Sequence, residues 1–137
     1  QWQNSTNDLS NLWGQVKGAI YHVMNRGDRR EAIFKDDKDR ENFLVALGEV
    51  CAKTGWQVHA LCLMPNHFHL VVETPQPNLV AGMKWLLGTY TSRFNRRHKV
   101  FGHLFSGRYK ALIVDDSGNV SCLYRNLRQL ILCELNS

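Results

Sequence analysis

Several features that mark other protein classes are missing from this 137-residue sequence. No apolar run approaches the roughly 20 residues of a membrane-spanning helix, and the N-terminus lacks the basic, apolar and small-residue order of a signal peptide. The four cysteines (51, 62, 122 and 133) form no Cys-x-x-Cys pair, which argues against a structural zinc site or a disulfide scaffold. We therefore expect a soluble, cytoplasmic protein without a membrane partner, and its length suits a single core.

Acidic residues are absent from one long interval, between Glu73 and Asp115. Seven lysines and arginines lie there, so the interval carries a formal charge of +7, whereas the rest of the chain has ten basic against twelve acidic residues. Positive charge segregated in this way favours a polyanionic partner. The alternative is a solvated helix face that happens to be basic. The seven residues are Lys84, Arg93, Arg96, Arg97, Lys99, Arg108 and Lys110.

The pattern of apolar and turn-forming residues predicts a loosely ordered N-terminal segment, residues 1–17, followed by one domain, residues 18–137. Asp36 or Asp37 is expected to cap the first helix, and Gly55 to end it. The hairpin turn falls at Pro65-Asn66. The predicted elements are a strand after Gly18, a helix ending at Gly55, strands over 56–64 and 67–74, a long helix from Leu79 to beyond Phe94, a strand over 108–114, and a last helix from about Ser121.

The order of these elements predicts the fold class. β-α-β-β-α-β followed by a helix is typical of an α+β, ferredoxin-like split βαβ arrangement. We expect a four-stranded antiparallel sheet with two helices on one face, plus a C-terminal helix. The other face of the sheet is expected to stay open.

His67-Phe68-His69 begins the second strand of the predicted hairpin. Because side chains alternate along a strand, both histidines project from one face, about 7 Å apart along the chain, and Phe68 projects from the other. Two imidazoles in this position can converge on one cation. The alternative is a pair of surface histidines on a half-exposed strand.

Four ordered blocks carry a resemblance: YHVMNRG (21–27), LMPNHFHLVVET (63–74), SRFNRRH (92–98) and FGHLFSGRYKALIVD (101–115). Together they resemble the single-tyrosine HUH transposases, with the REP-associated tyrosine transposases, relatives of small insertion-sequence transposases, as the nearest branch. The resemblance covers about residues 18–119. His67 and His69 match the His-hydrophobe-His motif of that family.

The resemblance implies a metal-dependent enzyme that nicks and joins DNA on a ferredoxin-like fold. Mg²⁺ or Mn²⁺, held by both histidines and a third polar side chain, would polarise the scissile phosphate. A tyrosine would attack the phosphate, giving a 5′-phosphotyrosine intermediate and a free 3′-OH, so that the break can be reversed into a new junction. Family members act on single-stranded DNA, commonly with a hairpin, and occur as monomers and as homodimers.

Basic and amide side chains in the matching blocks are the candidates for DNA contacts. They are Asn25, Arg26, Arg93, Arg96, Arg97, Lys99, Arg108 and Lys110.

The chain departs from the family at the nucleophile. In family members, a tyrosine on the last helix is followed four residues later by an Asn or Gln ligand, so that the two side chains lie on one face of the helix. This chain lacks that block, and the nearest tyrosine is Tyr124. Arg128, four residues later, cannot bind a cation, which leaves Gln129 as the candidate third ligand. The other tyrosines, Tyr21, Tyr90 and Tyr109, are expected to be core or platform aromatics.

The leading interpretation is therefore a transposase, a metal-dependent enzyme of single-stranded DNA cleavage and strand transfer. Because the terminal block is missing and residues 1–17 match no family block, an impaired, decayed or rearranged copy is an open alternative. A non-catalytic single-stranded nucleic-acid-binding protein with the same fold is another. An RNA-binding module of the RRM type shares the element order but predicts exposed aromatics on the central strands, where this chain has His67 and His69.

Overall fold

The computed structural model describes residues 18–115. The predictions for residues 1–17, for the C-terminal helix, and for Tyr124 and Gln129 lie outside this range. Within it, the order β-α-β-β-α-β is confirmed. The elements are β1 (Ala19–Arg26), α1 (Asp37–Thr54), β2 (Gln57–Met64), β3 (His67–Thr74), α2 (Leu79–His98) and β4 (Lys110–Asp115), with a short 3₁₀ turn at Asp28–Arg30.

The four strands form one sheet in the order β2-β3-β1-β4, and every neighbouring pair is antiparallel. β2 and β3 are joined by the tight turn at Pro65-Asn66, whereas β1 and β3 are brought together by the crossover through α1. This is the ferredoxin-like arrangement that the element order predicts. β1 and β3 lie at the centre, so any side chain on them is positioned by partners on both sides.

The two faces of the sheet differ in chemistry because β1 and β3 alternate strictly. Phe68, Leu70 and Val72 are fully buried with apolar residues of α1 and α2 in one core cluster. Phe43 of α1 lies against Phe68, with ring centroids 5.1 Å apart. Both helices therefore cover one face, and the residues between these core positions on β3, beginning with His67, point to the other face.

The first helix begins and ends where the sequence predicts. Of the two candidate caps, Asp36 is the one used: its carboxylate accepts a hydrogen bond of 3.0 Å from the backbone N–H of Asp39. At the other end, Gly55 adopts a left-handed conformation with φ 79° and donates its N–H to the carbonyl of Cys51. That conformation is costly for residues with a Cβ, which explains the glycine.

The start of α2 is positioned against the beginning of the hairpin. The indole N–H of Trp56 donates to the Asn78 side chain over 2.9 Å. Asn78 in turn donates to the carbonyl of Thr54 over 3.0 Å. A Cβ at Gly82 would lie 2.2 Å from the Trp56 ring, so the helix can approach this closely only with glycine there. Neither α1 nor α2 is long and apolar enough to cross a membrane.

The fourth strand begins two residues later than the sequence predicts. The ladder with β1 ends at the pair Met24 and Lys110. Before that point the backbone is held by a side chain instead, because the Asn25 amide donates to the carbonyl of Gly107 over 3.2 Å. Tyr109 packs against the core cluster. Side-chain anchoring of this kind leaves no periodic signal in the sequence.

Candidate active site

His67 and His69 lie side by side on the sheet face opposite α1 and α2. Ile20, His69 and Val71 on this face are buried, so the prediction that the face stays open is wrong for its centre. Their ring centroids are 5.2 Å apart and the rings are nearly perpendicular. In the ladder between the two central strands, Arg26 is paired with His67 and Met24 with His69. His69 is 4% exposed, and His67 is half-buried. The predicted projection of both imidazoles from one face is confirmed.

Each of the two imidazoles has a side-chain neighbour at its Nδ1 atom. Nδ1 of His67 lies 2.7 Å from the amide oxygen of Asn66, in the hairpin turn. Nδ1 of His69 lies 2.9 Å from Nε2 of His22 on β1. The ring planes of His22 and His69 are within 21° of parallel, with centroids 5.1 Å apart. Three histidines therefore form a row across β1 and β3, with His69 in the middle.

The hairpin turn that carries Asn66 is itself held from the other side. The N–H groups of Ile33 and Phe34 both donate to the carbonyl of Pro65. The N–H of Gly27 donates to the carbonyl of Asn66 over 2.8 Å. A Cβ at Gly27 would lie 2.1 Å from the carbonyl oxygen of Glu31. This close backbone packing fixes the position of the turn, and with it the start of the histidine strand.

The donor set suits a divalent cation. Imidazole nitrogens are common ligands of such ions, and the near-complete burial of His69 lowers the local dielectric in which a bound charge would act. Within residues 18–115, no group of three or more His, Cys, Asp or Glu side chains could hold a metal ion. The described part of the chain thus offers two ligands, and the predicted third, Gln129, lies outside it.

The three tyrosines of the described range are core residues. Tyr21 is 1% exposed and Tyr90 is fully buried, and the Tyr90 hydroxyl donates to the carbonyl of Ile33. Burial raises the pKa of Tyr90 far above its usual range. Burial also raises the pKa of Tyr109 to about 12. A raised pKa disfavours the phenolate, so Tyr90 and Tyr109 are poor nucleophiles, and Tyr21 is too buried to meet a substrate. The remaining tyrosine, Tyr124, lies outside the described residues.

Two of the predicted DNA-binding cations lie on the same sheet face as the histidines. Arg26 is exposed at the end of β1, and the register places it opposite His67. Lys110 is exposed at the start of β4, opposite Met24. Lys110 also lines a hollow of about 390 Å³ together with His22 and Leu112. The histidine row therefore has a cation at each side.

Two cations of α2 are instead held by carboxylates of α1. Arg93 pairs with Glu49 at 2.9 Å. The Arg97 guanidinium contacts Asp36 at 2.7 Å and Asp39 at 2.8 Å. The hydrogen bonds from Arg97 and from the Asp39 backbone lower the pKa of Asp36 to about 2. Both arginines lie on the helical layer, on the opposite side of the sheet from the histidines. Their DNA contacts stay a prediction.

The other candidates differ in exposure. The Asn25 side chain is 5% exposed and is used within the fold, donating to Gly107 and accepting from the Arg26 N–H. Arg96, Lys99 and Arg108 are exposed. Lys99 ends α2 in a left-handed conformation with φ 55°. For these four residues too, DNA binding stays a prediction.

Sequence reasoning missed two side chains of the site and one exposed aromatic outside it. His22 stands in the block YHVMNRG, and its alternation with Tyr21 and Val23 is the signal that puts it on the same sheet face as the histidine pair. Asn66 immediately precedes that pair. Phe101 is 97% exposed, in the loop between α2 and β4. An aromatic following Lys99 in an acid-free interval is the signal for it.

Comparison with known proteins gives one family and several solved structures, two of which are described below. The family model described as "Transposase IS200 like" matches residues 15–125. A REP-associated tyrosine transposase bound to a REP hairpin superposes with a TM-score of 0.63 at 12% identity, over 85% of this chain and 64% of that one. A Deinococcus radiodurans R1 protein assigned as a transposase superposes with a TM-score of 0.59 at 22% identity, over 86% of this chain and 92% of that one. No curated protein sequence matches the chain.

Proposed function

Because this chain belongs to the family of IS200-like transposases, we propose that it cleaves and rejoins single-stranded DNA at a hairpin, through a covalent tyrosine–DNA intermediate. The observation that carries the proposal is the pair of adjoining imidazoles, His67 and His69, on the sheet face opposite α1 and α2. Arg26 and Lys110 on the same face supply positive charge for a phosphate backbone.

The chemistry requires a group that offsets charge on the scissile phosphate and a nucleophile in line with it. His67, His69 and Gln129 would hold a divalent cation, Mg²⁺ or Mn²⁺, which when bound would supply Lewis-acid polarisation of that phosphate. The Tyr124 oxygen would bond to phosphorus as the bond to the 3′-oxygen breaks. The phenol proton is lost, and the leaving oxygen gains one to become a 3′-OH. Because one phosphodiester replaces another, the step is reversible.

A single-stranded partner is supported by exposed side chains that follow α2 as well as by a relative. Phe101, 97% exposed, offers a ring on which an unpaired base can stack, and Lys99, two residues before it, offers a charge for the adjoining phosphate. The REP-associated tyrosine transposase with the same fold is bound to a REP hairpin. We extend a hairpin partner from that protein to this one as part of the proposal.

A covalent adduct is the expected product when the full chain meets a hairpin-bearing single-stranded oligonucleotide in Mg²⁺ or Mn²⁺. Attack by tyrosine leaves the enzyme on the 5′ phosphate of the downstream fragment. A label at the 3′ end of the oligonucleotide should therefore migrate with the protein on a denaturing gel. A label at the 5′ end should appear in a shortened, protein-free fragment.

Two phenylalanine variants identify the nucleophile. Tyr124→Phe should lose the adduct, while Tyr109→Phe, which removes the hydroxyl of a half-buried core tyrosine, should keep it. Adduct formation by Tyr124→Phe would contradict the assignment of Tyr124. If hairpins bind but no labelled end ever becomes attached in either metal, the chain is a non-catalytic single-stranded nucleic-acid-binding protein.

Salt dependence tests the polyanionic partner independently of any chemistry. With about five phosphate contacts, the slope of log affinity against log salt concentration should be about −3.5, from roughly 0.7 per contact for a single strand. Arg26→Ala and Lys110→Ala should each reduce its magnitude by about 0.7. Lys38→Ala, which removes an exposed cation of α1, should leave the slope unchanged. A slope near zero for the unaltered chain would contradict nucleic-acid binding of either kind.

A further inference from the structure

The proton on His67 is assigned by its neighbour in the hairpin turn. Nδ1 of His67 lies 2.7 Å from the Asn66 amide oxygen, which can only accept a hydrogen bond. The orientation of the amide is supported independently, because its nitrogen donates to the carbonyl of Arg30 over 3.3 Å. The neutral His67 ring must therefore carry its proton on Nδ1. Its lone pair is then on Nε2.

The second imidazole has a comparable neighbour on β1. Nδ1 of His69 lies 2.9 Å from Nε2 of His22, and the two ring planes are within 21° of parallel. Two arrangements satisfy this contact. If His69 donates, its lone pair is on Nε2; if His22 donates, Nε2 of His69 carries the proton and cannot bind a cation.

We propose that Asn66 and His22 are positioning residues that hold His67 and His69 in the Nδ1–H tautomer, so that both rings present an Nε2 lone pair to one divalent cation. Histidine ligands in proteins are oriented in this way by an acceptor at the other ring nitrogen. Here the acceptors are an amide oxygen for His67 and a second imidazole for His69. The proposal rests on the proposed function for the cation, whereas the tautomers exist without it.

The contacts of Asn66 and His22 explain why each position has its residue type. Asn66 has to accept from His67 with its oxygen and donate to the Arg30 carbonyl with its nitrogen, a combination that an aspartate, which only accepts, cannot provide. His22 has to reach His69 from a neighbouring strand with a ring nitrogen. A glutamine at either position would keep an acceptor oxygen.

The tautomers are measurable in the metal-free full chain by long-range ¹H–¹⁵N spectra of ¹⁵N-histidine at about pH 8, where imidazoles are neutral. Both His67 and His69 should show a protonated Nδ1. His22→Leu should change the pattern of His69 only, and Asn66→Ala that of His67 only. His22→Gln and Asn66→Gln, which keep an acceptor oxygen, should restore it. The variants at residue 22 and those at residue 66 act on different imidazoles. If the variants at one position misfold, those at the other position still test the proposal.

Mn²⁺ affinity, measured by titration calorimetry on the same proteins, provides the second readout. His22→Leu and Asn66→Ala should each weaken binding by about 10–100-fold, and the glutamine variants should recover most of it. His59→Gln, which alters a histidine paired with Glu73 at 2.9 Å, is the matched control and should bind as the unaltered chain does.

The outcomes separate the two proposals. A protonated Nε2 on His69 in the unaltered chain would overturn the positioning role. So would equal Mn²⁺ affinity with and without the acceptors at residues 22 and 66. A chain with the expected tautomers that binds no Mn²⁺ would instead overturn the proposed function.

Discussion

Replacing His67 with alanine is expected to reduce adduct formation by about 10²–10³-fold while changing the free energy of unfolding by less than about 1 kcal/mol. The loss follows from removing one of two adjoining imidazole ligands, since cation-assisted charge stabilisation contributes several kcal/mol and each 1.36 kcal/mol is a factor of ten in rate. Stability is nearly unchanged because His67 is half-buried at the very start of its strand, where few apolar contacts are lost.

The neighbouring residue provides the matched control. Phe68 points to the opposite face, is fully buried, and lies 5.1 Å from the Phe43 ring and 6.0 Å from the Phe105 ring. Phe68→Ala should lower the free energy of unfolding by about 3–5 kcal/mol. The milder Phe68→Leu keeps enough protein folded to assay and should retain adduct formation.

The measurements are urea unfolding and quantified adduct yield for all three variants. His67→Ala should lose adduct formation and keep its stability. The Phe68 variants should lose stability, and the folded fraction should keep adduct formation. Comparable losses of stability at both positions would mean that His67 is a structural residue. Adduct formation at the unaltered rate by His67→Ala would remove it from the site.

Much of the fold could be predicted from the sequence because local signals and burial agree. The alternation in His67-Phe68-His69 assigns the faces of β3, and the caps Asp36 and Gly55 are chosen by backbone hydrogen-bonding requirements that operate within a few residues. The order of six elements then leaves few topologies open. For the same reason, the shared face of the two histidines follows from their spacing alone.

The neighbours of the two histidines could not be predicted in the same way. The contact between His22 and His69 joins residues 47 apart in the chain and depends on the register of β1 against β3. No local pattern specifies that register. Asn66 is adjacent to His67, but a residue in a Pro-Asn turn is expected there for turn geometry alone, so its contact with the imidazole has no separate signature.

The pairing of basic residues of α2 with acids near α1 could not be predicted from the sequence either. Charge counting treats every cation between Glu73 and Asp115 alike, yet Arg97 is 58 residues from Asp39 in sequence and 2.8 Å from it in space. Folding thus places acidic residues from outside the interval, such as Asp39, against cations inside it. Net charge predicts a polyanionic partner, but which cations remain exposed to meet it depends on the packing of α1 against α2.

Asp39 is the centre of that packing at one end of the two helices. It lies in the first turn of α1, is fully buried, and accepts the Lys35 backbone N–H over 2.9 Å. Its carboxylate also contacts Arg97 at 2.8 Å and His98 at 2.8 Å. It therefore joins the N-terminal end of α1 to the C-terminal end of α2, and at the N-terminal end of a helix its negative charge is favourable.

Asp39→Ala is accordingly expected to lower the free energy of unfolding by about 3 kcal/mol. Removing one partner from a buried ion pair leaves the remaining groups desolvated without compensation, and the Lys35 N–H loses its acceptor. The control is Asp37→Ala, two residues earlier in the same turn. Asp37 pairs with Arg40 at 2.9 Å, but its side chain is 94% exposed, so its loss should cost less than about 0.5 kcal/mol.

Urea unfolding of both variants measures the difference, and Asp39→Asn divides it further. The amide keeps the shape and an acceptor oxygen but lacks the charge, so a variant nearly as unstable as Asp39→Ala attributes most of the effect to the charge of the carboxylate. Equal costs for Asp39→Ala and Asp37→Ala would show that the buried carboxylate contributes no more than an exposed one. In that case the packing of α1 on α2 would rest on its apolar contacts and on the pair between Arg93 and Glu49.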